Sequence, residues 1–335
     1  MMFMKIVKNI LKYTVFFALG AYLFWNLYKD IDLEKLKIAL LQINYFWIGV
    51  SICLGLLSHW SRAIRWKMLI KPLGYNPRVI NIFLSIMVLY LTNLLIPRAG
   101  EVARCTILGK YEKIPVSKLI GTMIVERIAD FLTMIFLLIM VLTINISIVK
   151  TFFVKHIDLS SKFINLLSIT NILLAISVIV LLVVIFYLVR PLNHSKINDK
   201  ISGWKVNFIE GIQSILRLEN KWYFILHTLF IFLMWLLMLY VVFLAFPPTA
   251  NLTIWAGMFT FMMGGLAMLA PVQGGVGAWH FMVIQSLLLF GISEIDGKTF
   301  ALVAHTSTNM IYLIFGLLAL LIFPMINKKE STIIK

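Results

Sequence analysis

The sequence predicts an all-α, polytopic integral membrane protein. Hydrophobic residues make up 61% of the 335-residue chain and charged residues only 13%, whereas soluble domains are about half apolar and about a quarter charged. Eight apolar segments are long enough to cross a bilayer, and two shorter ones follow Pro/Gly breaks. The longest polar interval, 190–221, is too short for a soluble domain, so we expect one transmembrane domain over residues 1–335.

The first apolar segment, 13–28, follows a basic start typical of a secretory signal. Its apolar run continues into bulky aromatic residues without a small-residue cleavage site, which predicts a retained membrane anchor. Five further segments complete a prediction of six full spans: 43–61, 119–149, 163–189, 222–246 and 299–326.

The remaining apolar segments form two pairs, each interrupted by a helix-breaking stretch: 79–96 with 101–109, and 253–270 with 278–291. At a rise of about 1.5 Å per residue, the second member of each pair is too short to cross a hydrocarbon core of about 30 Å. We therefore expect two re-entrant helical hairpins, each entering and leaving the membrane on one side. The alternative is eight ordinary spans.

The distribution of lysine and arginine orients this arrangement. With the N-terminus in the cytoplasm, twenty of the 30 basic residues fall on the cytoplasmic side, including Arg62 and Arg65, and seven fall outside. Only Arg98, Arg104 and Arg127 then lie at membrane depth. We therefore expect both termini in the cytoplasm, with the first hairpin opening to the cytoplasm and the second to the outside.

The net charge of +16 is expected at the membrane surface, because the chain offers no basic soluble domain. It fits anionic lipids of the cytoplasmic leaflet better than nucleic acid. The segment 204–218 has apolar residues at helical spacing. It predicts either an amphipathic helix on the cytoplasmic surface or a cap on the helix bundle.

The two hairpin regions share a layout. Pro97 and Pro271 are 174 residues apart, and Lys118 and Lys298, at which the following long helices begin, are 180 apart. Because the two units point in opposite directions, they predict inverted repeats, in which broken helices mark the binding site of many transporters. The alternative is a coincidence of two Pro/Gly kinks in a long apolar chain.

Six charged residues gather at the predicted membrane depth: Arg98, Glu101, Arg104, Glu126, Arg127 and Asp130. Their charges sum to zero, which predicts a self-neutralising network. Charges inside a membrane are costly and usually functional. Two interpretations stay open: an ion-pair lock between the hairpin and the next helix, or a site where arginine exchanges its carboxylate partner for a lipid phosphate.

The second break contains Gly274, Gly275 and Gly277, which let the backbone turn tightly and let a ligand approach. The N–H groups of the following short helix would favour an anion, and the alternative is a packing turn of small residues. His280 and His305 predict hydrogen-bonding side chains rather than a metal site, because no HExxH motif or third ligand accompanies them. No cofactor-binding motif occurs, so no cofactor is expected.

Three stretches, NLLIPRAGEVAR, VERIAD and PVQGGVGAWH, resemble the lysylphosphatidylglycerol synthase transmembrane-region family, the flippase-like domain of bacterial multiple peptide resistance factors. The resemblance covers essentially the whole chain. The family's polar motif falls on eight positions: Asn93, Arg98, Gly100, Glu101, Arg104, Glu126, Arg127 and Asp130. Where the family's late motif typically has a second proline and an acid, this chain has Gln273 and His280.

The resemblance implies a multi-pass protein of the bacterial inner membrane that moves a lipid between leaflets. The expected substrate is an anionic or zwitterionic phospholipid or a polyprenyl-phosphate-linked lipid, with its phosphate held by Arg98, Arg104 and Arg127. The rest of the predicted substrate site comprises Asn93, Glu101, Glu126, Asp130, Gln273, Gly274, Gly275, Gly277 and His280.

The soluble aminoacyl-transferase domain of the synthases has no counterpart here, so no enzymatic activity is expected. Two other roles stay open: an intramembrane enzyme component, or a scaffold of an envelope lipid or glycan assembly pathway. The expected partners are the lipid substrate and anionic leaflet lipids, and the sequence is compatible with a homodimer.

Overall fold

The computed structural model describes residues 18, 20–144, 203–270 and 272–327. Within these ranges the chain forms eleven α-helices: α1 (20–28), α2 (Leu33–Leu41), α3 (Tyr45–Ile70), α4 (Val79–Leu95), α5 (Gly100–Glu112), α6 (Val116–Ile144), α7 (Gly203–Gln213), α8 (Lys221–Ala245), α9 (Ile254–Ala267), α10 (Ala278–Leu289) and α11 (Glu294–Ile326). Short 3₁₀ turns and loops connect them. The predicted all-α class is confirmed.

In the part of the chain that the structure describes, three helices are long and apolar enough to cross a membrane: α6, α8 and α11, with 29, 25 and 33 residues. At about 1.5 Å per residue, each exceeds the roughly 30 Å of a hydrocarbon core. They correspond to three of the predicted spans, so the polytopic membrane class is confirmed. The predicted span 163–189 and part of 13–28 lie outside the described residues, so the number of spans stays a prediction.

α3 extends beyond its apolar segment. The Asn44 side chain caps its start by accepting a hydrogen bond from the Phe46 N–H at 3.1 Å. The helix then runs for 26 residues, well past the predicted end at residue 61. Arg62 and Arg65 therefore lie inside α3 and are buried. The prediction that they belong to a water-facing cytoplasmic loop is wrong, because carboxylates on α6 pair with both of them.

α4 and α5 pack antiparallel, and we call them the first helix pair. At their closed end the Gly100 N–H donates to the Asn93 side chain at 2.8 Å. At their open end the Asn81 side chain donates to the Glu112 carboxylate at 2.6 Å. A Cβ added to Gly100 would lie 2.1 Å from the Leu89 carbonyl oxygen. Only glycine therefore permits this approach of the two helices.

α9 and α10 form the second helix pair. A Cβ on Gly264 would lie 2.7 Å from the Trp279 indole nitrogen, and the rings of Phe259 and Phe290 meet edge to face with centroids 5.7 Å apart. Pro271, the predicted breaking residue, lies outside the described residues. The turn contains three glycines with positive φ, a conformation that glycine adopts freely: Gly274, Gly275 and Gly277.

The two helix pairs open toward opposite ends of α11. The open end of the first pair meets the C-terminal end of α11, where the Asn81 side chain donates to Asn327 at 3.0 Å. In the second pair, α10 packs beside the N-terminal end of α11, where Gly297 faces Ile284. This relative orientation agrees with the predicted opposed hairpins, and their placement in the bilayer stays a prediction.

The closed ends of the two pairs meet. Arg98 lies in the turn of the first pair with φ of 63°, in the left-handed region that non-glycine residues seldom adopt. Its Nη2 donates a hydrogen bond of 2.8 Å to the carbonyl of Leu269, which follows the end of α9 in the second pair. A Cβ on Gly274 would lie 3.2 Å from a Leu94 methyl group. The turns of both pairs are therefore in direct contact.

α7 packs across the beginning of α6. A Cβ on Gly211 would lie 2.4 Å from the Lys118 carbonyl oxygen, so the two backbones touch. The Lys118 ammonium also lies 2.8 Å from the Glu210 carboxylate. Of the two interpretations of segment 204–218, this contact fits the bundle cap. The Trp204 side chain remains 53% exposed on the outer side.

Candidate functional site

Two arginines of α3 face two acids of α6. Arg62 and Arg65 are one helical turn apart, as are Glu126 and Asp130, so each pair shares a helix face. Arg62 Nε donates to Glu126 Oε1 at 2.6 Å, and Arg65 Nη2 lies 2.7 Å from Asp130 Oδ1. These contacts fix the centre of the site between the two helices.

Two further arginines reach the same acids. Arg104 of α5 donates from Nη1 to Glu126 Oε2 at 3.1 Å. Arg127 of α6 donates from Nη2 to Glu126 Oε1 at 2.6 Å and lies 2.8 Å from Asp130 Oδ2. Glu101 of α5 lies 3.1 Å from Arg104 Nε and 3.5 Å from Arg127 Nη1. We call these seven residues the arginine cluster: Arg62, Arg65, Glu101, Arg104, Glu126, Arg127 and Asp130.

The arginine cluster is deeply buried and carries a net positive charge. The side chains of Arg65, Arg104 and Glu126 have 0% exposure, and that of Arg62 has 1%. Four guanidinium groups face three carboxylates, so one positive charge is left over among the described residues. The predicted network of zero charge is therefore wrong, because α3 supplies two arginines that the prediction left out and Arg98 does not take part.

Several N–H groups of the cluster make no hydrogen bond within the described part of the chain. They are Arg62 Nη2, Arg65 Nε and Nη2, Arg104 Nε and Nη2, and Arg127 Nε. Arg65 Nη2 and Arg104 Nε still lie 2.7 and 3.1 Å from carboxylate oxygens. The acceptors without a hydrogen bond, Glu101 Oε2 and the Asp130 oxygens, likewise lie within 3.1 Å of guanidinium nitrogens. Buried polar groups normally have partners, and an unpaired one costs about 1–3 kcal/mol. The cluster thus combines excess positive charge with unused donors.

The cluster is most accessible at Arg127 and Glu101, whose side chains are 36% and 23% exposed. The Asp130 side chain is 11% exposed. The other members are closed off by packing. Access to the unused donors is therefore from the side where α5 faces α6.

Neutral side chains hold the guanidinium groups in position. The Trp66 ring lies 4.2 Å from Arg104 Cζ, and its indole N–H donates to Thr122 at 2.9 Å. Arg65 Nη1 donates to the Thr228 hydroxyl at 2.9 Å. Arg62 Nη1 donates to the Tyr90 hydroxyl at 2.8 Å. Each contact comes from a different helix, so the site needs α3, α4, α6 and α8 together.

Tyr90 also belongs to an aromatic stack that joins α3, α4 and α11. Its ring stacks on Tyr312 with centroids 4.2 Å apart and planes 7° apart. The His59 ring lies 4.6 Å from Tyr90. This stack anchors the α3 side of the arginine cluster to α11.

The structure brings together five of the six charged residues predicted for the site and excludes Arg98. The Arg98 side chain is exposed and reaches Leu269, because residue 98 belongs to the turn and not to the face of α5. Asn93 accepts from the Gly100 N–H and so holds the first helix pair closed. Arg62 and Arg65 were missed, although their i, i+3 spacing directly after an apolar segment was a usable signal.

The predicted residues of the second break form a separate polar group. His305 Nε2 donates to the Gly274 carbonyl at 2.7 Å, which leaves Nδ1 to accept from the Asn309 amide at 3.0 Å. The Gly277 N–H donates to His280 Nδ1 at 3.4 Å. Gln273 belongs to the 3₁₀ turn of this break. Both histidines thus act as hydrogen-bonding side chains.

The rings of His280 and His305 lie 4.4 Å apart. A Cβ on Gly277 would lie 2.8 Å from the Gly20 carbonyl oxygen of α1, which explains a glycine at this position. Within the described ranges, no group of three His, Cys, Asp or Glu side chains could hold a metal ion.

Helices of spanning length around a buried cluster of charge define an integral membrane protein with a polar site inside its helix bundle. The family model described as "Lysylphosphatidylglycerol synthase TM region" matches residues 9–316, and the chain belongs to this family. The UPF0104 membrane protein MJ1595 of Methanocaldococcus jannaschii is 31% identical over 182 residues, which cover 52% of this chain and 51% of that protein. The chain therefore matches about half the length of this curated relative. No solved structure matches the present chain.

Proposed function

We propose that this protein translocates a phosphate-bearing lipid between membrane leaflets, with the arginine cluster as the headgroup site. The observation that carries the proposal is the leftover positive charge of the buried cluster. Arginine binds phosphate through its planar fork and stays charged at any accessible pH. The role assigned here is binding and transport, with no catalytic step.

The depth of the cluster supports a functional role. Glu126 lies ten residues after the start of α6, and Arg62 lies eight residues before the end of α3. At about 1.5 Å per residue these positions are about 12–15 Å from the helix ends. Ionisable residues at such depth are costly and are retained for a function.

The opposed helix pairs support alternating access as the mode of transport. Many transporters consist of inverted repeats whose broken helices meet at the binding site. Here the two pairs open toward opposite ends of α11 and touch at their turns through Arg98 and Leu269. We propose that both pairs are re-entrant hairpins and that the lipid headgroup passes between them.

The basic end of the bundle supports the predicted orientation. The end of α3, the end of α5 and the start of α6 lie together and carry a set of lysines: Lys67, Lys71, Lys110, Lys113 and Lys118. Basic residues favour the cytoplasmic side and anionic leaflet lipids. We propose a cytoplasmic-membrane protein whose termini face the cytoplasm.

The rival interpretation is a structural ion-pair lock. It is favoured by Glu126, which pairs with arginines from α3, α5 and α6. A lock requires that transport and stability change together in every variant. A headgroup site requires that a variant can lose transport and keep its fold.

Arg127→Gln separates the two interpretations. It removes the most exposed guanidinium and leaves three arginines against three carboxylates, so the cluster becomes neutral. We expect translocation of an anionic phospholipid to fall about 10- to 100-fold, since a hydrogen bond to a charged group contributes about 1.5–3 kcal/mol and about 1.4 kcal/mol corresponds to tenfold. Proteoliposomes with a fluorescent phosphatidylglycerol and an external quencher measure this rate.

Arg217→Gln is the matched control, because Arg217 is exposed in the 3₁₀ turn after α7. It should leave the rate unchanged. Thermal unfolding of both variants in detergent should stay close to that of the unchanged protein. A parallel loss of translocation and thermal stability in Arg127→Gln would support the lock, and wild-type translocation by this variant would exclude the headgroup site.

A further inference from the structure

An apolar cavity of about 180 Å³ lies between α6, α8 and α9. Leu137, Phe232, Leu236, Met258 and Met262 are among the residues that line it, and every lining residue is apolar. An engineered apolar cavity of about 150 Å³ stays dry and binds benzene. The cavity therefore suits a hydrocarbon group and excludes the polar headgroup itself.

The cavity lies one to two helical turns beyond the arginine cluster along α6 and α8. Arg65 contacts Asp130 and Glu126 on α6 and Thr228 on α8, two helices that form the cavity. Leu137 follows Asp130 by two turns on one face of α6, and Phe232 follows Thr228 by one turn on α8. The distance along each helix is about 6–11 Å.

The outer edge of the cavity reaches the lipid-facing surface of α8. Leu229 and Leu233 at this edge are 50% and 48% exposed, whereas Phe232 and Met262 are 7% and 1% exposed. A flexible chain could enter from the bilayer between these leucines. Its polar end would then lie toward Asp130, which is 11% exposed and pairs with both Arg65 and Arg127.

We infer that the cavity holds part of the hydrocarbon chain of the lipid whose phosphate occupies the arginine cluster, and that this lipid is net anionic with a single monoanionic phosphodiester. The inference rests on the proposed function and names its substrate class. One surplus positive charge matches one negative charge, so a net-anionic glycerophospholipid is preferred over a zwitterionic one. A lipid chain is favoured as the occupant by the helices that the two sites share, by the apolar lining and by the charge of the nearby cluster.

The arrangement also assigns the orientation of the bound lipid. From Asp130 to Leu137, α6 runs away from its basic end, and so does α8 from Thr228 to Leu236. The headgroup therefore faces the end that carries the lysines, and the chain points toward the opposite end of the bundle. This is the orientation of a lipid loaded from the leaflet at that end.

Photocrosslinking tests the inference in proteoliposomes of phosphatidylcholine that contain a small fraction of phosphatidylglycerol with a diazirine on its acyl chain. Adducts are expected on the α8 and α9 residues of the cavity. Leu236→Trp fills the cavity and should reduce these adducts and translocation by at least about fivefold, because an overpacked site cannot admit the chain. Leu321→Trp is the matched control, since Leu321 is 64% exposed on α11, a helix that contributes no residue to the cavity.

The diazirine on phosphatidylcholine should give fewer cavity adducts than the same group on phosphatidylglycerol, and Arg127→Gln should remove this preference. Equal adducts at the cavity and at Leu321 would overturn the inference, as would the absence of adducts at the cavity. Normal translocation by Leu236→Trp beside a defective Arg127→Gln protein would overturn the chain site and leave the proposed function standing. Selective cavity adducts in a wild-type protein that translocates no lipid would support the chain site and refute the proposed function.

Discussion

Glu126→Gln is expected to lower the free energy of unfolding by about 3–5 kcal/mol, the usual effect of removing one partner of a buried ion pair. Glutamine keeps the shape of the side chain, so the loss reflects the charge. The Glu126 carboxylate is fully buried and lies within 4 Å of all four arginines: 2.6 Å from Arg62 and Arg127, 3.1 Å from Arg104 and 3.6 Å from Arg65. Denaturant or thermal unfolding in detergent micelles measures the effect.

Glu210→Gln is the control, because Glu210 pairs with Lys118 at a partly exposed position. Such pairs contribute about 0–1 kcal/mol. Adding Arg62→Met to Glu126→Gln should recover part of the lost stability, since it removes one of the uncompensated charges. Equal effects of the two glutamine substitutions would show that the cluster is hydrated in the folded protein.

Gly100→Ala is expected to destabilise the protein by about 3 kcal/mol, at the upper end of overpacking effects. The new Cβ would lie 2.1 Å from the Leu89 carbonyl oxygen and 2.8 Å from the Asn93 amide oxygen. The first contact is with the backbone of α4, so relief requires the whole of α5 to move away. Because α5 carries Glu101 and Arg104, lipid translocation should fall together with the melting temperature.

Gly49→Ala on α3 is the control for Gly100→Ala, and the opposite effect on stability is expected. A Cβ there meets nothing within 4 Å, and alanine favours a helix over glycine by about 0.5–1 kcal/mol. This variant should be neutral or slightly stabilised. A Gly100→Ala protein as stable as Gly49→Ala would contradict the tight packing of the first helix pair.

Much of the fold was predictable because the length of an apolar segment is a strong signal for a membrane-spanning helix. α6, α8 and α11 follow directly from it. The end of α3 could not be predicted in this way. Hydropathy falls where arginines occur, even when carboxylates distant in sequence neutralise them. The opposed directions of the two helix pairs followed from charge distribution and from short apolar stretches.

The site was predictable where its residues lie close together in sequence. Glu126 and Asp130 share a face by simple helical spacing, and so do Glu101 and Arg104. Arg62 pairs with Glu126 across 64 residues, a contact that no local pattern specifies. The positive-inside rule assigns each basic residue to water unless an apolar segment surrounds it, so it misplaced Arg62 and Arg65.

The prediction for Arg98 failed in the opposite way, because it placed in the cluster a residue that lies outside it. It is close in sequence to Glu101 and Arg104, yet its left-handed backbone in the turn directs it to Leu269. Turn conformation is decided by the packing of the two helix pairs, which the sequence pattern does not contain. The substrate roles predicted for Asn93, Arg98 and the residues of the second break stay predictions.

The position of Arg62 and Arg65 constrains how the chain is made. Arginine raises the free energy of membrane insertion by up to about 2.5–3.5 kcal/mol at the helix centre and by less toward a helix end, and the acid that pairs with Arg62 is synthesised 64 residues later. α3 should therefore remain at the translocon, or slip back, until α6 emerges. Nascent chains truncated before residue 116 should insert α3 poorly, and chains extended past residue 144 should insert it fully, which glycosylation mapping in microsomes can distinguish. Formation of the arginine cluster would then be a required step in the membrane insertion of α3, in addition to its role in the folded protein.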